Sequence, residues 1–129
     1  MNGKYLLDTN IVIALLAKDT NVIGQIERGG KIFIPSIVIG ELYYGAEKSS
    51  KTEENKAVIE KFASDNAILN CTKETARYYG DVKNILRKKG RPIPENDIWI
   101  SALAIQHKLS LVTRDRHFKE VNGLKVESW

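Results

Sequence analysis

Four acidic residues, Asp8, Glu41, Asp97 and Asp115, sit beside the most apolar runs of this 129-residue chain. Asp8 follows Tyr5-Leu6-Leu7, and Asp115 follows Leu111-Val112-Thr113-Arg114. Asp97 opens the run from Ile98 to Ile105, and Glu41 is embedded in Ile37-Val38-Ile39-Gly40-Glu41-Leu42. Charged groups stay out of a core unless they are paired or bind a metal. Two carboxylates about 4 Å apart repel by roughly 4 kcal/mol at an effective dielectric near 20. Several such pairs call for a cation, and the natural reading is a divalent-metal site. All-oxygen carboxylate sites suit Mg²⁺ and Mn²⁺, whereas zinc recruits His or Cys. With two His and one Cys, the chain is poorly equipped for a zinc cluster. His107 is expected at a helix end, and His117 at most as a phosphate contact. A carboxylate-bound metal activates water and stabilises the leaving oxygen in phosphodiester cleavage. Thr113 is placed to orient a carboxylate or a water molecule through its hydroxyl, although as a strand residue it needs no function. Singly, each acid reads as a solvated loop residue or a helix cap. Four at the ends of successive apolar elements are much harder to dismiss.

The net charge of +4 and pI near 9.2 arise despite these acids. The remaining surface must therefore be basic. Its densest patch is Lys83, Arg87, Lys88, Lys89 and Arg91, with Arg77 upstream, and a second group, Arg114, Arg116, His117 and Lys119, surrounds Asp115. Basic surface around an acidic pocket suits a polyanion whose backbone is held while one phosphate reacts. Lys and Arg also favour helix C-termini, so the run from Arg87 to Arg91 reads equally well as a solvated helix end.

The acids must be positioned by a fold, and the chain alternates short apolar runs with longer amphipathic ones. That pattern implies an α/β architecture around a parallel sheet. Strands are expected at Lys4-Leu7, Lys31-Ile34, Ala67-Leu69, Leu109-Val112 and Leu124-Val126. Helices are expected at Ile11-Ala17, Val22-Arg28, Ser36-Lys48, Glu53-Ala63, Lys73-Lys89 and Asp97-Lys108, with a turn near Arg116-Phe118. Gly29-Gly30 and Gly90 supply helix stops, Pro92 and Pro94 prevent resumption, and Pro35-Ser36, Thr72 and Asn96 are helix starts. The run after Asp97 is apolar almost all round and belongs in the middle of the domain. Function gathers at the carboxyl ends of strands in such sheets. Asp8 and Asp115 fall just past strand ends, Asp97 lies near a helix N-terminus, and Glu41 can reach the same rim from the helix after the second strand.

An apolar fraction of 43% and a charged fraction of 28% are those of a soluble globular protein. The length suits one domain over residues 1–129. The stretch from Leu6 to Ala17 is broken by Asp8-Thr9-Asn10 and does not read as a secretion signal. No run approaches the ~20 apolar residues that span a membrane. A cytoplasmic location is expected, since the lone Cys71 excludes an internal disulfide and suits a reducing compartment. Cys71 itself is expected to be a small core residue.

The segments Leu6-Leu7-Asp8-Thr9-Asn10, Gly40-Glu41-Leu42-Tyr43-Tyr44-Gly45, Asn96-Asp97-Ile98-Trp99-Ile100-Ser101-Ala102 and Leu111-Val112-Thr113-Arg114-Asp115 closely resemble a PIN-domain ribonuclease. More narrowly, they resemble the VapC toxins of type II toxin–antitoxin pairs. Order, spacing and length agree from residue 4 to the end. The resemblance implies a PIN-like three-layer α/β/α sandwich with parallel strand order 3-2-1-4-5, and a Mg²⁺- or Mn²⁺-dependent endoribonuclease. It carries an acidic tetrad onto Asp8, Glu41, Asp97 and Asp115 as metal-binding and catalytic residues, with Thr113 in support. Beside these, Arg87, Lys88, Lys89, Arg91, Arg114 and Arg116 are candidates for RNA backbone contact. The resemblance also implies a homodimer and a cognate antitoxin. The antitoxin's C-terminal tail would block the pocket, and its other domain would bind operator DNA. Three rivals are weaker. A haloacid-dehalogenase-type phosphatase wants an Asp two residues after Asp8, where this chain has Asn10. A structure-specific DNA nuclease usually carries more acids and an arch insertion. A non-catalytic RNA-binding or scaffold module does not need an intact tetrad.

Overall fold

The computed structural model describes residues 3–129. Its centre is a five-stranded parallel sheet of β1 (Lys4–Leu7), β2 (Lys31–Pro35), β3 (Ala67–Leu69), β4 (Ser110–Val112) and β5 (Val126–Glu127), in the order β3-β2-β1-β4-β5. This is the order implied by the resemblance, and helices complete a three-layer α/β/α sandwich. The inner strands show no polar alternation because helices cover both of their faces. Leu6, Leu7, Ile34, Leu111 and Val112 are accordingly fully buried.

The helices are α1 (Thr9–Leu16), α2 (Thr20–Glu27), α3 (Ser36–Glu47), α4 (Thr52–Asp65), α5 (Lys73–Lys89) and α6 (Glu95–Gln106), followed by a 3₁₀ turn at Arg116–Glu120. Most begin or end within two residues of the expected positions. α5 matches at both ends because each carries its own signal. Thr72 and Thr75 cap one another's backbone N–H groups, and Gly90 closes the other end at φ 68°. α6 starts two residues before Asp97, with Pro94 rather than Asn96 at the cap position. Proline's fixed φ leads directly into a helix, so Asp97 sits inside the first turn. α6 is buried along much of its length, including Ile100, Ser101, Ala102, Leu103 and Ala104, as its composition requires.

Two expectations are corrected. The last strand pairs at Val126–Glu127 instead of Leu124–Val126, its register fixed by Leu111 N–H to Lys125 O at 2.8 Å and Thr113 N–H to Glu127 O at 2.9 Å. Leu124 packs on the core from the preceding turn. Cys71 is exposed, not a core residue. It lies in the connection between the edge strand β3 and α5. No described helix is long and apolar enough to cross a membrane.

Candidate metal centre

The pairing of β1 with β4 builds the first part of the site. Leu7 lies opposite Val112, so the next residues, Asp8 and Thr113, emerge side by side. Asp8 N–H donates to Val112 O at 3.0 Å, and the Thr113 hydroxyl donates to Asp8 Oδ2 at 2.7 Å. Both side chains are almost inaccessible, at 4% and 2% exposure. Asp8 also caps α1, its Oδ1 accepting from Thr9 N–H at 2.8 Å. The Thr113 oxygen in turn accepts from Asp115 N–H at 3.0 Å, which fixes the start of the loop carrying Asp115. Thr113 therefore orients a carboxylate, as its position suggested.

Asn10 ties the two strand ends together. Its amide nitrogen is 3.3 Å from Asp8 Oδ2 and 3.4 Å from Thr113 Oγ1, while its Oδ1 accepts from Arg114 N–H at 3.1 Å. Thr9 performs the matching task for Glu41, donating its hydroxyl to Oε1 at 2.7 Å. No local signal marks either residue, because the contacts to Glu41, Thr113 and Arg114 join positions 32 to 104 residues apart.

Asp8, Glu41, Asp97 and Asp115 all line one open pocket of about 610 Å³, together with Thr9 and His117. Within it the tightest group is Asp97, Asp115 and His117, whose ligand atoms lie within 4.8 Å of one another. His117 Nε2 is 2.5 Å from Asp97 Oδ2 and its Nδ1 is 3.8 Å from Asp115 Oδ1. The expectation of at most a phosphate contact for His117 is thus corrected. The 3₁₀ turn after Asp115 swings the imidazole back over the carboxylates, and Phe118, fully buried beside it, anchors that turn. The only sequence signal was a His two residues after an acid, which is too common to interpret alone.

The electrostatics are those of a site built to receive a cation. Burial raises the carboxyl of Asp97 to about 6, with help from the charges of Asp8 and Glu41 and opposed by the His117 contact. Burial also raises Asp8, and Asp115 adds to the effect, against the bonds from Thr113 and Thr9. These donors hold the carboxylates in place without neutralising them. Four carboxylates share the pocket, and their oxygens fit a divalent ion such as Mg²⁺ or Mn²⁺, with the His117 imidazole hydrogen-bonded to Asp97 at the edge of the Asp97–Asp115 group.

The basic residues divide into two groups. Arg114 is engaged internally, bonding Asp19 Oδ2 at 3.0 Å and Trp129 O at 2.8 Å, which straps the chain end to the start of α2. Lys89 donates to Glu120 O at 2.7 Å, Arg91 lies 3.9 Å from the Glu120 carboxylate, and Lys83 pairs with Glu95 at 3.0 Å. Arg87, Lys88 and Arg116 are exposed and form no ion pair among the described residues.

Comparison with known proteins agrees with this geometry. The PIN domain family model matches residues 5–124. Ribonuclease VapC2 of Haemophilus influenzae is 43% identical, and the match covers 98% of each chain. The tRNA(fMet)-specific endonuclease VapC of Shigella flexneri is 38% identical, again over 98% of each. Among solved structures, VapBC2 from Rickettsia felis bound to a promoter DNA fragment superposes with a TM-score of 0.89 at 34% identity, covering 97% of this chain and 98% of that one. DNA-bound VapBC from Salmonella typhimurium superposes with a TM-score of 0.89 at 32% identity, covering 98% of each.

Proposed function

Because the chain belongs to the PIN-domain family, among its VapC-type ribonucleases, we propose that it is a Mg²⁺- or Mn²⁺-dependent endoribonuclease toxin. It would hydrolyse RNA phosphodiester bonds and be restrained by a cognate antitoxin. The observation that carries this reading is the meeting of Asp8, Glu41, Asp97 and Asp115 in one pocket at the carboxyl ends of β1 and β4 and the entrance to α6. Asp97 and Asp115 would hold the ion, with Asp8 and Glu41 beside them and His117 closing the edge. A divalent cation bound there supplies Lewis acidity, activating water and drawing charge from a phosphate oxygen.

The chain's own residues do the positioning. Thr113, Asn10 and the Thr9 N–H fix both oxygens of Asp8, and the Thr9 hydroxyl fixes Glu41. The carboxylates of Asp8 and Glu41 therefore need little reorganisation when substrate arrives. Water attack on phosphorus does not use the ribose 2′-hydroxyl and so forms no 2′,3′-cyclic phosphate; with the P–O3′ bond breaking and the 3′ oxygen leaving, products carry 5′-phosphate and 3′-hydroxyl ends. Among the described residues His117 alone of the histidines lines the pocket, so no His pair is there to run 2′-hydroxyl attack. The partner, by analogy with the toxin–antitoxin–DNA assemblies above, is an antitoxin whose tail lies over the pocket and whose other domain binds operator DNA. The toxin would act as a homodimer in the cytoplasm.

Cleavage of total RNA by the purified protein, with Mg²⁺, Mn²⁺ or EDTA, tests the reading. Activity should require the metal, and end-group analysis should find 5′-phosphates. Undiminished cleavage in excess EDTA, or 2′,3′-cyclic phosphate products, would overturn it.

A further inference from the structure

We propose that Tyr44 and Lys48 form a subsite on which one unpaired base of an RNA strand stacks beside the carboxylate pocket. The inference rests on the endoribonuclease reading for the identity of the strand. An open depression of about 630 Å³ adjoins the carboxylate pocket, and Thr9, Glu41 and Asn96 line both. A strand with a phosphate at the carboxylates must therefore pass into one of the neighbouring surfaces, and this one continues directly from Glu41.

The lining follows from the spacing of α3. Gly40, Tyr44 and Lys48 recur at four-residue intervals and so share a face. Gly40 presents no side chain next to Glu41, and a Cβ there would meet nothing. One turn on, Tyr44 is 65% exposed, whereas Tyr43 packs against the core. One turn further, Lys48 Nζ lies 4.4 Å from the centre of the Tyr44 ring. Lys48 forms no ion pair among the described residues.

An aromatic ring offers every base a stacking face, whatever the sequence. The Lys48 ammonium lies over one face of the ring, to which it is attracted, and serves the adjoining phosphate, so the base takes the other face of this 65% exposed side chain. Tyrosine, glycine and lysine on one helical face, opening onto a pocket already suited to a phosphate, thus make a complementary cradle for a single-stranded nucleotide. On α5, by comparison, Lys83 and Arg77 lie over Tyr79 and Tyr78, but both rings are only half-exposed and Tyr79 already stacks on Trp99.

The test uses the Asp97→Asn protein, which should bind without cutting, and short single-stranded RNA carrying one abasic position at a time. In this background one flanking position should lose about tenfold in affinity when its base is removed. Adding Tyr44→Ala should cause a similar loss and abolish the sensitivity at that position, while Tyr44→Phe should preserve both. Lys48→Gln should flatten the salt dependence by about 0.7 in log–log slope. Unchanged affinity and an unchanged abasic profile in Tyr44→Ala overturn the subsite. So does a Tyr44→Ala protein that changes its sedimentation but not its affinity per protomer, because the face would then join two copies of the chain. Failure of the wild type to cut any RNA with Mg²⁺ or Mn²⁺ overturns the nuclease reading instead, and the abasic scan still decides whether a base stacks on Tyr44.

Discussion

At the scale of single residues, the buried carboxyls of Asp97 and Asp8 oppose the stability of the fold while no cation is bound. Asp97 is held at about 6 against an ordinary 3.8, so the fold disfavours its charged form. The associated penalty is on the order of 3 kcal/mol at neutral pH. It is present in full above the folded value and is relieved as pH falls from about 6 toward 3.8. Asp19 is shifted the opposite way by Arg114, so its stabilisation fades in acid and the net curve mixes both effects. The difference between wild type and Asp97→Asn isolates the first. In EDTA, Asp97→Asn should melt higher than wild type at pH 7.5, with the gap closing toward pH 5. The same substitution, like Asp8→Asn, should abolish cleavage. Calorimetric scans at several pH values measure the gap. A variant less stable than wild type at pH 7.5 would mean that the carboxylate is compensated in the metal-free protein.

At the scale of elements, what the sequence reveals depends on how local its cause is. α5 is legible to the residue because Thr72 and Gly90 act on their own turns. The inner strands are legible because two-sided burial leaves an apolar run. The four acids could be nominated for the same reason, as charges breaking or bordering such runs. Their supports could not. The bond from Thr113 to Asp8 spans 105 positions and exists only because Leu7 pairs with Val112. His117 likewise reaches Asp97 across 20 positions through a turn that a buried Phe118 anchors. The basic run at the end of α5 shows the same limit, since composition cannot say which cations are already engaged. Lys89 holds the Glu120 carbonyl, while Arg87 and Lys88 have no such partner among the described residues. Arg87→Ala and Lys88→Ala should each flatten the salt dependence of RNA binding by about 0.7 if each meets one phosphate, with no change in melting temperature. Lys89→Ala should instead lower the melting temperature. Salt titrations of binding, paired with thermal scans, separate the two roles. Unaltered slopes for Arg87→Ala and Lys88→Ala would return the run to a solvated helix end.

At the scale of the whole molecule, the sheet places its chemistry at one rim, and that rim continues into an apolar groove. The groove, about 480 Å³, runs between α1, α3 and α4, with Leu16, Leu42, Val58 and Ile59 along it. Ile13 and Glu41 line both the groove and the carboxylate pocket. Ile13 is 54% exposed and Val58 50%, so the groove offers a partner apolar surface leading straight to the acids. This suits an antitoxin tail that lays an amphipathic helix in the groove and delivers a basic side chain to the pocket. A guanidinium is the better plug, because its planar fork donates to several carboxylates at once. Its arrival also compensates the burial, and the smaller mutual repulsion, that raise Asp97 and Asp8. Groove and plug should then be separable. Val58→Glu should leave cleavage by the free toxin intact but weaken its complex with the antitoxin, mainly through faster dissociation. Replacing the plugging Arg of the tail should restore activity within a complex that still forms. High Mg²⁺ should compete with that Arg and restore part of the activity within a complex that the groove still holds. Co-expression with the cognate antitoxin, followed by cleavage assays and dissociation rates for each variant, tests the arrangement. If Val58→Glu leaves dissociation unchanged and no basic residue of the tail affects inhibition, the antitoxin seats elsewhere and closes the pocket by another route.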